Sequence, residues 1–287
     1  MTTLCALLGY PVGHSRSPAM QNAAFRELGL DWRYEAIEVD PERFEPVVRE
    51  LPARGFAGAN VTVPHKLRAL SVADSASAVA RAVGAANTLS FGADGIVAHN
   101  TDVDGFLRAL QERAPQAPAG MRALVLGAGG AARAVVYALR EQNAGAIDVW
   151  NRHPERAEAL AREFAEPGRP PIRAVAEPTV RDADLLVNAT SVGMAVPRAR
   201  AREPEDFKLL HISADNLGDA QIVVDLVYRD GGTPLLRAAK ARGSTHVDGI
   251  DILVHQGAAS FELWTGRPAP LEAMRLGART RQTDRAS

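Results

Sequence analysis

The chain has 287 residues, of which 46% are hydrophobic and 23% charged, with a formal net charge of -1. That length suits two domains of a soluble globular protein. A near-neutral balance without a basic stripe argues against a nucleic-acid binder. The single cysteine, Cys5, sits in an apolar run and cannot form an intrachain disulfide, so it reads as core packing in a reducing compartment. The N-terminus lacks a basic leader, and no apolar run approaches the roughly 18 residues that cross a bilayer. A cytoplasmic protein without a membrane partner is expected.

In chain order, residues 4–8 read as a buried strand ending in the loop "GYPVGHSR". Ser17-Pro18 then opens a helix with serine as cap, and Gly29 closes it. Residues 32–39 form a second strand, and Phe44, Val47, Val48 and Leu51 mark one face of a helix. In "GANVTVPHK" the alternation puts Asn60 and Thr62 on one face of a strand and Val61 and Val63 on the other, before Pro64 stops it. Residues 88–91 and 96–99 flank a Gly-Ala-Asp-Gly turn and predict a hairpin. A helix follows Asp102, and residues 114–120 resemble a linker. Beyond it, apolar runs at 123–126, 146–150, 185–189 and 222–227 alternate with helical segments, the pattern of a parallel sheet covered on both faces. Residues 194–220 are polar and irregular and predict a mobile loop, and the tail beyond Gly277 predicts fraying.

The stretch "LVLGAGGAARA" places Gly127, Ala128, Gly129, Gly130, Ala131 and Ala132 between a strand and a helix, the GxGxxA form of a dinucleotide fingerprint. Gly127 permits the tight turn, Gly129 lets backbone approach a pyrophosphate, and Ala132 lets the helix pack closely. The helix start offers amide donors and partial positive charge. Asp148 has the spacing of a ribose-binding acid but lies inside its strand. The strand end reads Asn151-Arg152-His153-Pro154-Glu155-Arg156, with no acid at its opening. Two arginines there suit a dianionic 2′-phosphate, so NADP is expected over NAD.

Two further residues carry chemistry. Lys66 follows the strand that bears Asn60 and Thr62. Asp102 stands where a strand meets a helix, and the adjacent Asn100 and Thr101 can supply the cap in its place. Asp104 reads as a first-turn acid. The seven histidines do not group with acids or cysteine at metal-ligand spacing.

These segments together resemble shikimate dehydrogenase over nearly the whole length. The resemblance rests on the order of "GYPVGHSRSP", "NVTVPHK", "GAANT", "HNTDVDGF", "GAGGAARA", "NRHPER", "NATSVGM", "DLVY" and "LVHQGAASFELWTG". It implies a two-domain α/β fold. An α/β substrate domain would span 1–102, completed by about 249–287, whose helices pack back on it. A Rossmann-type, doubly wound parallel sheet would span 103–248 and hold NADP. It implies NADPH-linked interconversion of 3-dehydroshikimate and shikimate, with Lys66 and Asp102 as the catalytic pair. Ser15 and Ser17 would bind the substrate carboxylate, and Asn60, Thr62 and Asn87 its ring hydroxyls, with Tyr228 and Gln256 closing the site. Thr190 would lie along the nicotinamide half of the cofactor, and Gly249 would permit close approach of the ring. The implied partner is a small molecule, and the implied assembly a monomer or homodimer.

Four positions depart from the pattern. Gln21 replaces a common histidine, His153 a threonine, Asp230 a proline and Ile252 a methionine. His153 removes a hydroxyl partner for the 2′-phosphate. The rival readings are a quinate/shikimate dehydrogenase, possibly NAD-linked, an aminoshikimate-type paralogue, and a non-catalytic nucleotide-sensing protein. The last would lack the lysine-aspartate pair.

Overall fold

In the computed structural model, which describes residues 2–194 and 203–280, the apolar run near the N-terminus forms strand β1 (Thr3–Gly9). Helix α1 (Ser17–Glu27), β2 (Trp32–Glu38), α2 (Phe44–Glu50) and β3 (Phe56–Val61) follow. Next come α3 (Lys66–Val72), β4 (Ser75–Ala76), α4 (Ala78–Val83), the hairpin β5 (Thr88–Gly92) and β6 (Gly95–His99), and α5 (Asp102–Arg113). The chain divides into two compact units, Met1–Gly105 with Leu253–Ser287, and Phe106–Ile252. The divisions fall inside α5 and inside a later helix, while the residue 114–120 stretch lies within the second unit.

The first unit carries a mixed six-stranded sheet in the order β2-β1-β3-β5-β6-β4. β1 pairs in parallel with both neighbours, and β5 runs antiparallel to β3 and β6. One face of β3 presents Ala59 and Val61 to a core that includes Leu8, Phe44, Val48, Leu51 and Phe56. The other face presents Gly58 and Asn60. The strand stops at Val61, so Thr62 lies just beyond it, although its N–H still donates to the Leu8 carbonyl at 2.9 Å. Val63 is 53% exposed rather than in register with Val61.

The second unit runs β7 (Arg122–Leu126), α6 (Gly130–Glu141), β8 (Ala146–Trp150), α7 (Pro154–Phe164), β9 (Ile172–Ala174), β10 (Leu185–Asn188), α8 (Glu203–Leu209), β11 (Ile222–Asp225), α9 (Pro234–Ala241) and β12 (Thr245–Asp248). All six strands are parallel, in the order β12-β11-β10-β7-β8-β9. This is the doubly wound dinucleotide-binding order, with its switch point between β7 and β10. The four central strands match the apolar runs of the sequence. The edge strands β9 and β12 do not stand out there, because they are short and only partly apolar.

Two expectations need correction. The stretch 194–220 contains α8 and a 3-10 turn at Ala214–Asn216, held because Phe207, Leu210 and Leu217 pack into the core of the unit. Residues 195–202 lie outside the described residues, as do 281–287, where most of the expected fraying falls. Ser17 does not cap α1. It is the first helical residue, and the Ser15 hydroxyl accepts from its N–H at 3.2 Å.

The last two helices, α10 (Gly249–Thr265) and α11 (Leu271–Arg279), complete the first unit. α11 crosses α1 closely at Gly277, where a Cβ would stand 2.8 Å from the Ala19 carbonyl oxygen. α10 covers the polar face of β3. A Cβ on Gly58 would fall 2.1 Å from Nε1 of Trp264, whose indole donates to the Leu89 carbonyl at 3.0 Å.

Candidate active site

Lys66 is the first residue of α3, and Asp102 the first of α5. A cation at a helix N-terminus opposes the helix dipole, so Lys66 needs a partner. Its Nζ lies 2.7 Å from Oδ2 of Asp102, and both side chains are 15% exposed. Asp102 is free for this because Asn100 caps the helix. The Asn100 Oδ1 accepts from the N–H of Asp102 at 3.1 Å and of Val103 at 3.4 Å.

The second carboxylate oxygen is held from behind. The Asn87 amide donates to Oδ1 of Asp102 at 3.0 Å, to Thr101 Oγ1 at 2.9 Å and to Gln256 Oε1 at 3.1 Å. Its orientation is fixed, since its Oδ1 accepts from the backbone N–H of Thr101 at 2.7 Å. Gln256 is anchored in turn by donating to the Leu253 carbonyl at 2.9 Å. Gly105 lets α5 lie against Gln256, because a Cβ there would come 2.6 Å from the Gln256 Cβ.

Asn60 is buried and fully engaged within the protein. The Tyr34 hydroxyl donates to its Oδ1 at 2.8 Å, and its amide reaches Thr88 Oγ1 at 3.0 Å and Ser260 Oγ at 2.9 Å. Asn60 and Thr88 are cross-strand partners of β3 and β5. Ser260, one turn beyond Gln256 on α10, contacts Thr88 at 2.8 Å and Thr101 at 3.1 Å. A continuous buried polar network therefore runs from Tyr34 to Lys66. Every member has partners, which is the condition under which such a network rigidifies a site. Tyr34, Thr88, Thr101 and Ser260 were missed in the sequence. The signals available were the i+4 spacing of Ser260 from Gln256 and the adjacency of Thr101 to Asp102.

Ser15 and Ser17 stand together at the start of α1, with Ser17 buried. Thr62 is half-buried beside Gly9, where a Cβ would strike the Thr62 methyl at 2.4 Å. Lys66, Asp102, Asn60, Asn87, Gln256, Ser15, Ser17 and Thr62 all belong to the first unit. Tyr228 and Gly249 belong to the second.

In the second unit, Gly127 turns the chain at φ 113°, and its missing Cβ would lie 2.9 Å from the Ala189 carbonyl oxygen and 3.2 Å from Thr190 Cγ2. The glycine turn and the Thr190 loop thus meet at the switch point of the sheet. Gly129 opens α6, and nothing lies within 4 Å of where its Cβ would be, which leaves room over the helix N-terminus for a pyrophosphate. Ala128, Gly130 and Ala131 complete the turn, and Ala132 is buried. At the end of β8, the Asn151 side chain donates to the His153 carbonyl at 2.9 Å. Arg152 and Arg156 are exposed and have no side-chain hydrogen bond or ion pair among the described residues. Asp148 stays within β8, 3.7 Å from Arg122. The residues present fit a dinucleotide bearing a 2′-phosphate. Gly249 is required by packing, since a Cβ would meet the carbonyl oxygens of Leu226 at 2.6 Å and Val227 at 2.8 Å.

Among the described residues, no group of three His, Cys, Asp or Glu could hold a metal ion, and no helix is long and apolar enough to cross a membrane.

A parallel sheet wound in this order, with a glycine turn at its switch point and two exposed arginines after β8, places the protein in the dinucleotide-binding class. Comparison with known proteins narrows the class. Residues 7–89 match the shikimate dehydrogenase substrate binding domain, 109–206 the shikimate/quinate 5-dehydrogenase domain, and 249–275 the shikimate 5'-dehydrogenase C-terminal domain. The NADP(+) shikimate dehydrogenase of Methanopyrus kandleri is 45% identical over 280 residues, covering 96% of this chain and 94% of the relative. The crystal structure of shikimate 5-dehydrogenase from Thermus thermophilus in complex with NADP(H) and shikimate is 42% identical with a TM-score of 0.82, over 96% of this chain and 98% of that one. The shikimate dehydrogenase of Aquifex aeolicus gives a TM-score of 0.85 at 34% identity, over 97% and 98% of the two chains. The chain belongs to the shikimate dehydrogenase family.

Proposed function

We propose that this protein reduces 3-dehydroshikimate to shikimate with NADPH, reversibly, and that Lys66 and Asp102 act at the substrate oxygen. The observation that carries the reading is the 2.7 Å ion pair between them, held by Asn87 and seated on two helix starts. NADPH supplies the hydride when bound. As the ketone carbon is reduced, negative charge builds on its oxygen, and the Lys66 ammonium stabilises it and donates the proton. In the reverse direction the lysine amine accepts the hydroxyl proton as the carbon loses hydride. Asp102 orients the ammonium and keeps it near the reacting oxygen.

The remaining residues bind and orient. Ser15 and Ser17 take the substrate carboxylate, Thr62, Asn87 and Gln256 its hydroxyls, and Tyr228 is a further substrate contact. Asn60, with both ends engaged, acts through the network rather than on the substrate. Gly127, Ala128, Gly129, Gly130 and Ala131 cradle the pyrophosphate. Asn151, Arg152, His153 and Arg156 read the 2′-phosphate, and Thr190 lies along the nicotinamide half. The assembly is a monomer or homodimer, and the location cytoplasmic.

The test is steady-state oxidation of shikimate and of quinate, each with NADP and with NAD. The expected result is a strong preference for shikimate with NADP. Comparable quinate turnover would move the protein to the quinate/shikimate branch, and a preference for NAD would remove the role given to Arg152 and Arg156.

A further inference from the structure

The Asn188 side chain, at the end of β10, is a hub. Its Oδ1 accepts from the backbone N–H of Thr190 at 3.1 Å and from the Thr190 hydroxyl at 2.7 Å. Its amide donates to the Val192 carbonyl at 3.2 Å and to Oδ1 of Asp225 at 2.9 Å. Asp225 ends β11 in register with Asn188. Its carboxylate also accepts from the N–H of Val227 at 3.0 Å and from the Thr233 hydroxyl at 2.6 Å. Thr233 is the N-cap of α9, accepting from the N–H of Leu236 at 3.2 Å.

Asp225 is 1% exposed and forms no ion pair among the described residues. The charged groups around it are mostly acidic. Asp248 is its partner on β12, and Asp206 of α8 lines the same small cavity, 3.8 Å from Arg229. A carboxylate buried without a cation is costly, and packing alone does not call for one. What this one does is fix Asn188, and Asn188 holds the N–H and hydroxyl of Thr190 and the carbonyl of Val192. That turn abuts Gly127 at the switch point.

We infer that Asp225 is a positioning residue, which through Asn188 holds the 189–192 loop against the glycine turn and so sets the affinity for the dinucleotide. The inference rests on the reading of Thr190 as a cofactor contact. It also makes the hold proton-dependent. Burial pushes the carboxyl up to about 7, against the lowering effect of the bonds from Thr233, Val227 and Asn188. A proton on Asp225 turns a charge-assisted bond to Asn188 into a neutral one, so the loop is held less firmly as pH falls.

The experiment measures the NADP dissociation constant by fluorescence titration, and the KM for shikimate, in the full chain. Asp225→Asn keeps the shape and removes the charge. It is expected to weaken NADP binding roughly three- to ten-fold at about pH 8, with shikimate KM within about two-fold of wild type. The ratio of variant to wild-type constants is expected to shrink toward one at about pH 6, where the wild-type group is itself protonated. Thr233→Val leaves Asp225 and Asn188 in place and removes a donor to the charge, so it shifts the midpoint of the pH dependence upward. Unchanged NADP affinity in Asp225→Asn, a ratio independent of pH, or a parallel rise in shikimate KM would each overturn the inference. An unmoved midpoint in Thr233→Val would do the same. Thr190→Val separates the two readings. If it leaves NADP affinity unchanged, the cofactor contact fails and the inference with it. If it weakens binding while Asp225→Asn does not, only the inference falls.

Discussion

Lys66 and Asp102 meet through a single carboxylate oxygen, and the other oxygen is taken by Asn87. The carboxylate is thereby fixed in plane as well as in place, and the ammonium retains donors for a substrate oxygen. Lys66→Ala is expected to lower kcat by roughly 10²- to 10⁴-fold, the range of a lost acid or base. NADP affinity is expected to stay near wild type, since the glycine turn and the two free arginines belong to the second unit. Single-turnover rates with a separate NADP titration check both halves; a retained kcat would remove Lys66 from the chemistry. The neighbouring residue, His65, has a different role. It is fully buried, stacked on Phe44 at 4.4 Å, with Nε2 donating to the Val39 carbonyl at 2.8 Å and Nδ1 without a partner among the described residues. Burial lowers its pKa, as does Arg68, against the raising effects of the Val39 carbonyl and Asp40. The folded state therefore resists a proton that the unfolded state accepts at about 6.5. Stability from this group is complete above that value and is lost as pH falls from it toward the folded-state pKa. His65→Phe is expected to flatten the urea-midpoint profile between about pH 7 and pH 5 relative to wild type. An unaltered profile would place the acid sensitivity elsewhere.

At the scale of elements, the site depends on how closely α10 lies on the sheet. Gly58 makes this possible by leaving space for Trp264, and Gln256 and Ser260 then reach Asn87, Asn60 and Thr88 from above. Gly58→Ala places a methyl against both the indole and the Leu89 carbonyl, an overpacking that costs about 1–3 kcal/mol. We expect a lower denaturant midpoint together with a raised KM for shikimate; a normal KM at reduced stability would show that α10 can shift without disturbing Gln256. Much at this scale was legible in the sequence. The hairpin followed from its glycine turn, the dinucleotide turn from strand, glycines and helix in order, and the freedom of Asp102 from the neighbouring Asn100. What was not legible depends on distant chain segments meeting. The bonds of Asn60 to Tyr34, Thr88 and Ser260 join residues up to 200 positions apart and have no signature in the sequence. Gly249 has a packing reason that the sequence does not show: the carbonyls of Leu226 and Val227 leave no room for a Cβ there. α8 is polar in sequence and helical because Phe207 and Leu210 find a core to pack into.

For the whole molecule, the first unit is built from two separated stretches of chain, and the second is one continuous stretch between them. The proposed ligands divide in the same way. Hydrogen exchange offers a direct check. Shikimate alone is expected to slow exchange around Asn87, Asp102 and Gln256, and NADP alone at Gly127, Gly129 and the 189–192 loop. Protection confined to one unit by both ligands would contradict that division.

The discontinuity also sets an order of events during synthesis. The sheet of the first unit leaves the ribosome early, with Asn60, Thr88 and Thr101 exposed along the trough at Gly58. The residues that answer them, Gln256, Ser260 and Trp264, arrive only after the entire second unit has been made. At about 5–20 residues per second that is a delay of roughly 7–30 s. A nascent chain therefore carries an open, half-satisfied groove for that interval, and Asn60, Asn87 and Thr88 gain their last partners only once α10 has been laid down.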